Sequence, residues 1–127
     1  MGNMCLERFR QVGLDGYRKL ILHIGDLYFG AEPPEFLTSD QVGNVILLMV
    51  GCHELSGDEK YLREADRFAA LGIDLFLTDG SPLPRATTKE THYEAITQGD
   101  SMMMALLKLW LVRNKPEFKV DLIFTDR

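Results

Sequence analysis

The chain has 127 residues, 46% hydrophobic and 26% charged, with a formal net charge of -5. This is the size and composition of one soluble globular domain, and it excludes a disordered chain, a collagen and a disulfide-dense mini-protein. The acidic balance argues against nucleic acid and against an anionic membrane surface as partners, since both are bound by clustered Lys and Arg.

No run of 18 apolar residues suggests a membrane span, and Glu7, Arg8 and Arg10 interrupt any signal-peptide core. Met1-Gly2-Asn3-Met4-Cys5-Leu6 opens like an acylation site, but Leu6 stands where Ser or Thr is required. Cys5 and Cys52 lie in no C-x-x-C pair, so both are read as thiols, and an intracellular, cytoplasmic location is the default expectation.

The predicted elements follow in chain order. Residues 3–12 suit a short helix with Cys5, Phe9 and Val12 on one side, stopped by Gly13. Asp15 is the expected N-cap of a second helix, whose stripe is Tyr17, Leu20, Ile21, Ile24, Leu27 and Tyr28. Gly30 and Pro33-Pro34 close it. Thr38 and Gln41 have capping-box spacing ahead of a helix over 40–55 that is apolar on every side. A helix of that kind is expected to be buried all round.

Ser56-Gly57 ends it, and Asp58 caps an amphipathic helix carrying Tyr61, Leu62, Ala65, Phe68, Ala69, Gly72, Ile73 and Phe76 inward. Glu59, Lys60, Arg63, Glu64, Asp66 and Arg67 fill its wet face. Asp79-Gly80 reads as a turn. Ser81 to Gly99 has no period, and a loop this long inside a compact domain is usually functional. A second all-apolar helix, over 100–113, holds Met102-Met103-Met104 and Trp110, both read as core. Phe118, Val120, Leu122 and Phe124 alternate with polar neighbours as a short extended tail.

Outer, inner, outer, inner helices imply an all-α fold of antiparallel helical hairpins in two layers. Two outer helices cannot cover two all-apolar inner ones, so an exposed apolar face, and with it a homo-oligomer or the missing remainder of a longer chain, is expected.

Three stretches carry a resemblance. They are Ser56-Gly57-Asp58-Glu59-Lys60-Tyr61-Leu62-Arg63-Glu64-Ala65-Asp66, Pro82-Leu83-Pro84-Arg85-Ala86, and His92-Tyr93-Glu94-Ala95 with Gly99-Asp100-Ser101. Leading into Leu106-Leu107-Lys108-Leu109, they resemble the (α/α)-toroid or six-hairpin superfamily of glycoside hydrolases, polysaccharide lyases and sugar epimerases. The resemblance implies one all-α domain over residues 1–127, the C-terminal part of a larger toroid or a small oligomerising one. It also implies an oligosaccharide or uronate substrate at the mouth of the inner helices.

On that reading His92, Tyr93 and Glu94 are the catalytic candidates, as general acids or bases. Arg85 would hold a uronate carboxylate and Asp100 would contribute a further carboxylate. Competing structural roles are Tyr93 packing over a helix start, His92 and Glu94 as solvated loop residues, and Asp100 with Thr97 as an N-cap. His53-Glu54 has no third ligand nearby in sequence, so neither a metal site nor a cofactor is expected. His23 and Asp26 suit a surface i,i+3 pair. The rival function is a non-catalytic helical module that acts through an apolar surface.

Overall fold

A computed structural model describes residues 1–78 and 80–119. Within these the fold is all-α, with helices packed on one another in layers. The helices are α1 (Gly2–Val12), α2 (Asp15–Asp26), α3 (Ser39–Ser56), α4 (Glu59–Phe76) and α5 (Gly99–Asn114), with a 3-10 turn at Ala95–Thr97 before α5. Of the two expectations that touch undescribed residues, Asp79 of the Asp79-Gly80 turn and the tail from Val120 onward lie outside the described residues.

Most helix ends sit where local chemistry puts them. Gly13 takes a left-handed φ of 66° and returns its N–H to the Phe9 carbonyl at 2.7 Å, which ends α1. Gln41 Oε1 accepts the Thr38 N–H at 3.0 Å, one half of a capping box opening α3. Gly57, with φ 72°, ends α3, and Asp58 Oδ1 then accepts the Lys60 N–H at 2.8 Å as the N-cap of α4. Asp15, in contrast, is not a cap. Leu14 occupies that position, and Asp15 begins α2 with its carboxylate 2.9 Å from Lys19 Nζ one turn on.

The core is organised around α3. The α1–α2 pair packs on one part of it, while α4 and α5 cover the rest and touch each other little. Val42, Ile46, Leu48, Met49, Val50 and Cys52 of α3 are all buried, as an apolar-all-round helix requires. Against them lie Leu6, Ile21, Tyr61, Leu62, Phe68, Phe76, Met102, Ala105 and Leu109. Cys5 and Cys52 are free. Burial pushes the Cys52 thiol up to about 12.

Some expected inward positions face out. Leu20 and Leu27 leave the α2 stripe exposed, and so does Ile73 on α4. Glu64, expected on the wet face of α4, is buried. Its carboxylate accepts the Gly30 N–H at 3.3 Å and the Arg67 Nε–H at 2.8 Å. Arg67 in turn donates to the Ala31 carbonyl at 3.1 Å. This ion pair therefore fastens the turn that follows α2 to α4, and a buried carboxylate is tolerated because each charge has partners. Asp26 does not pair with His23 as its main contact. It accepts Tyr61 Oη–H at 2.8 Å and Lys60 Nζ at 3.2 Å. Burial and the Asp26 contact push the Tyr61 phenol up to about 12.

Helix α3 carries a glycine where α5 comes closest. A Cβ on Gly43 would stand 2.8 Å from Met102 Cα and 2.9 Å from Met102 N, both backbone atoms that cannot turn aside. Gly43→Ala is expected to destabilise the protein by about 1–3 kcal/mol through overpacking. Helix propensity alone would give the opposite sign, up to about 1 kcal/mol of gain. Gly16→Ala, in α2 with open space around its Cβ direction, should show that gain. Urea melts of both variants check the pair, and a stabilised Gly43→Ala would refute the close approach. In the folded protein, Cys5→Ser should leave no thiol that reacts with Ellman's reagent at neutral pH; prompt reaction would contradict the burial of Cys52.

Candidate functional site

The segment between α4 and α5 runs over the N-terminal end of α3, where the sequence placed the site. It is held by main-chain bonds. Arg85 N–H donates to the Phe76 carbonyl at 2.9 Å, and Thr88 N–H to the Leu37 carbonyl at 3.0 Å. Thr38 and Thr87 form an antiparallel bridge. The Thr88 hydroxyl accepts the Leu37 N–H at 3.2 Å and donates to the Glu35 carbonyl at 2.9 Å. Pro84, Ala86 and Thr87 are buried beneath. The segment is thus stitched to residues 35–38 rather than draped over them.

Arg85 sits inside this stitching. Its Nε–H donates to the Glu90 carbonyl at 2.9 Å and its Nη2 to the Thr88 carbonyl at 3.1 Å. The guanidinium fork, a good match for a substrate carboxylate, here grips the turn that follows it. The Thr87 hydroxyl closes the same turn by accepting the Lys89 and Glu90 N–H groups, each at 3.1 Å. Ala86 N–H then donates to the His92 carbonyl at 2.8 Å, fixing the returning strand of the loop.

The three catalytic candidates are close in chain and unlike in setting. His92 Nε2 and Glu94 Oε1 are 2.7 Å apart, at the surface. Glu90 joins them, so that one ligand-type atom from each of Glu90, His92 and Glu94 lies within 4.8 Å of the others. Tyr93 is also exposed, and its ring edge lies 3.2 Å from the Cβ position of Gly99 at the start of α5. Asp100 is half-buried in the first turn of α5. It does not cap that helix, and neither does Thr97. The cap position falls to Gln98, whose φ of 51° makes it the one non-glycine with positive φ among the described residues. Thr97 Oγ1 instead donates to the Glu94 carbonyl at 2.7 Å within the 3-10 turn. His53 Nδ1 lies 3.1 Å from the Asp58 carbonyl, a helix-end role.

Helix α5 carries the second candidate site, which reading Trp110 and the methionine triplet as core did not find. Met102 is fully buried, but Met103, Met104 and Leu107 are about two-fifths exposed and Trp110 is 52% exposed. Met103, Leu107 and Trp110 are spaced i, i+4 and i+7, one face of a helix. The charged side chains of α5 point elsewhere. Lys108, only 14% exposed, reaches Glu54 at 3.3 Å, and Arg113 pairs with Glu59 at 3.2 Å and with Asp66 at 2.5 Å. A helix turned to water normally shows the reverse arrangement.

A groove of about 590 Å³ opens between the start of α1, the Pro33-Pro34 turn and α3, lined by Tyr28, Leu37, Val45, Leu48 and Phe68 among others. No helix among the described residues is long and apolar enough to cross a membrane. Comparison with family models, with curated proteins and with solved structures gives no match to this chain. The toroid resemblance therefore rests on the sequence stretches alone.

Arg85→Lys retains the charge and loses the fork, so it should open the loop as much as Arg85→Ala does. New limited-proteolysis cuts within 81–98 in both variants are the expected result. A loop that stays protected in both would free Arg85 for a ligand.

Proposed function

We propose that this chain is a helical interaction module that works through the outer face of α5, and that the face binds a second copy of the chain. The observation that carries the reading is the inversion on α5, with Trp110, Met103, Met104 and Leu107 outward and Lys108 tied inward. Tryptophan and methionine are enriched at the centre of interfaces and charged residues are depleted there.

A second copy suits this face better than a charged partner. The stripe has no unpaired Lys or Arg to meet an acidic surface, and the chain's net charge of -5 offers none elsewhere in excess. Met103 and Trp110 stand on either side of Leu107. An antiparallel two-fold at Leu107 would therefore set the indole of one copy on the methionines of the other. Thioethers pack well on aromatic rings and adapt their shape to them. Such a pairing is isologous and closes on itself.

A second reading, part of a carbohydrate-active toroid enzyme with residues 81–100 lining its site, draws support from the surface pair of His92 and Glu94 at 2.7 Å. An imidazole held against a carboxylate is a usable acid–base unit. Arg85, anchored to its own loop, supports that reading less. Under it, the wild-type chain would bind uronate-containing oligosaccharides and His92→Ala would not.

Trp110 is the only tryptophan, so its fluorescence reports the face directly. Across micromolar concentrations the emission should shift to the blue as sedimentation equilibrium shows mass rising above 14.4 kDa. Leu107→Glu should keep the helical circular dichroism and remain monomeric. A wild-type chain that stays a 14.4 kDa monomer with unshifted emission would end the proposal.

A further inference from the structure

We propose that Glu90, His92 and Glu94 together bind a divalent transition-metal ion of the zinc class. The three residues stand at every second position of an irregular segment with a bend at His92, and their side chains converge. One imidazole nitrogen and two carboxylate oxygens lie within 4.8 Å of one another. Tetrahedral zinc, with ligands about 2.0–2.1 Å away, needs donor atoms roughly 3.3 Å apart. Side-chain rotation alone closes that difference at a surface site.

The charge around the three residues favours a cation. Among the described residues neither Glu90 nor Glu94 pairs with a Lys or Arg. The two nearest basic residues in sequence are committed elsewhere, Arg85 to the carbonyls of Thr88 and Glu90 and Lys89 to Glu35 at 3.3 Å. Two carboxylates held this close with no Lys or Arg beside them repel each other. The His92 Nε2–Glu94 Oε1 contact at 2.7 Å and the Thr87 hydroxyl donated to Glu90 Oε2 at 3.4 Å offset this repulsion in the present geometry. A metal ion set among the three donors would meet the imidazole nitrogen and both carboxylates.

The surroundings also hold the donors in place. Buried Thr87 directs its hydroxyl to Glu90 Oε2 at 3.4 Å, while Ala86 fixes the His92 backbone. Outer partners of this kind orient metal ligands. The imidazole in the set selects zinc-like ions over magnesium, which prefers oxygen ligands alone. Three protein donors leave a fourth position for water.

Calorimetric titration of the purified chain with zinc chloride in a non-chelating buffer tests this. The expected result is one zinc per chain. His92→Ala, Glu90→Gln and Glu94→Gln should each weaken binding at least about tenfold, with His53→Ala unchanged. Excess magnesium should not displace the zinc. The proposal is overturned by no binding to wild type, by an affinity that His92→Ala leaves unaltered, or by loss of binding in His53→Ala. Ready displacement by magnesium would equally overturn it, since it would mark a diffuse acidic surface. All the substituted positions are at the surface or a helix end, and circular dichroism verifies that each variant is folded.

Discussion

The close approach of α3 and α5 at Gly43 governs the rest of the arrangement. With Met102 backbone atoms less than 3 Å from where a Cβ would stand, the two helices meet almost main chain to main chain. That contact fixes which side of α5 is inward. Met102, Ala105 and Leu109 are then buried at i, i+3 and i+7, and the large residues between them are turned out. Gly72 of α4 lies against Val42 and Met102 at the same place, so three helices converge on small side chains there. Close-packed interiors tolerate little added volume at such a junction.

The polar ties lie at the periphery and each joins two elements. Glu64 and Arg67 fasten the turn after α2 to α4, Asp26 with Tyr61 and Lys60 ties the end of α2 itself nearer the start of α4, and Lys108 and Arg113 bind α5 to α3 and α4. Most of these pairs are partly exposed and individually modest. Their importance is geometric. By engaging the charges of α5 within the fold they leave its outer face uncharged, and with Arg85 engaged within its loop, Glu90 and Glu94 have no Lys or Arg counterpart among the described residues.

Helix ends were legible in the sequence wherever the signal was local. Gly13, Thr38 with Gln41, Gly57 and Asp58 act on their own neighbours, and each stands where it was read. The failures have a common cause. Which face of an all-apolar helix turns inward is not written in that helix; for α5 it is decided by Gly43, far away in sequence. Glu64 looked wet because Gly30 and Arg67, its partners, converge on it only in three dimensions. Asp15 resembled a cap, but the helix began one residue earlier and made it a first-turn ion pair. At the loop, His92 and Glu94 were found by residue type. Glu90 was not, although its alternation with them was readable. The destination of Arg85 was not readable, because backbone carbonyls have no sequence signature.

The stitching between residues 35–38 and 85–88 has a mechanical consequence. Two segments that approach the start of α3 from opposite ends of the chain share main-chain hydrogen bonds there, so the two connections behave as one joint. Helix α5, by contrast, leans almost wholly on α3 and scarcely on α4. The molecule is therefore braced where its connections meet, while α5 is held chiefly through one seam, the one with α3. Local opening in proteins follows such contiguous units. Separation of α5 from the others would have to break that seam together with the Arg113 pairs to Glu59 and Asp66 of α4. Anything laid across Trp110 would give α5 a second seam opposite the first and turn an outer helix into an interior one.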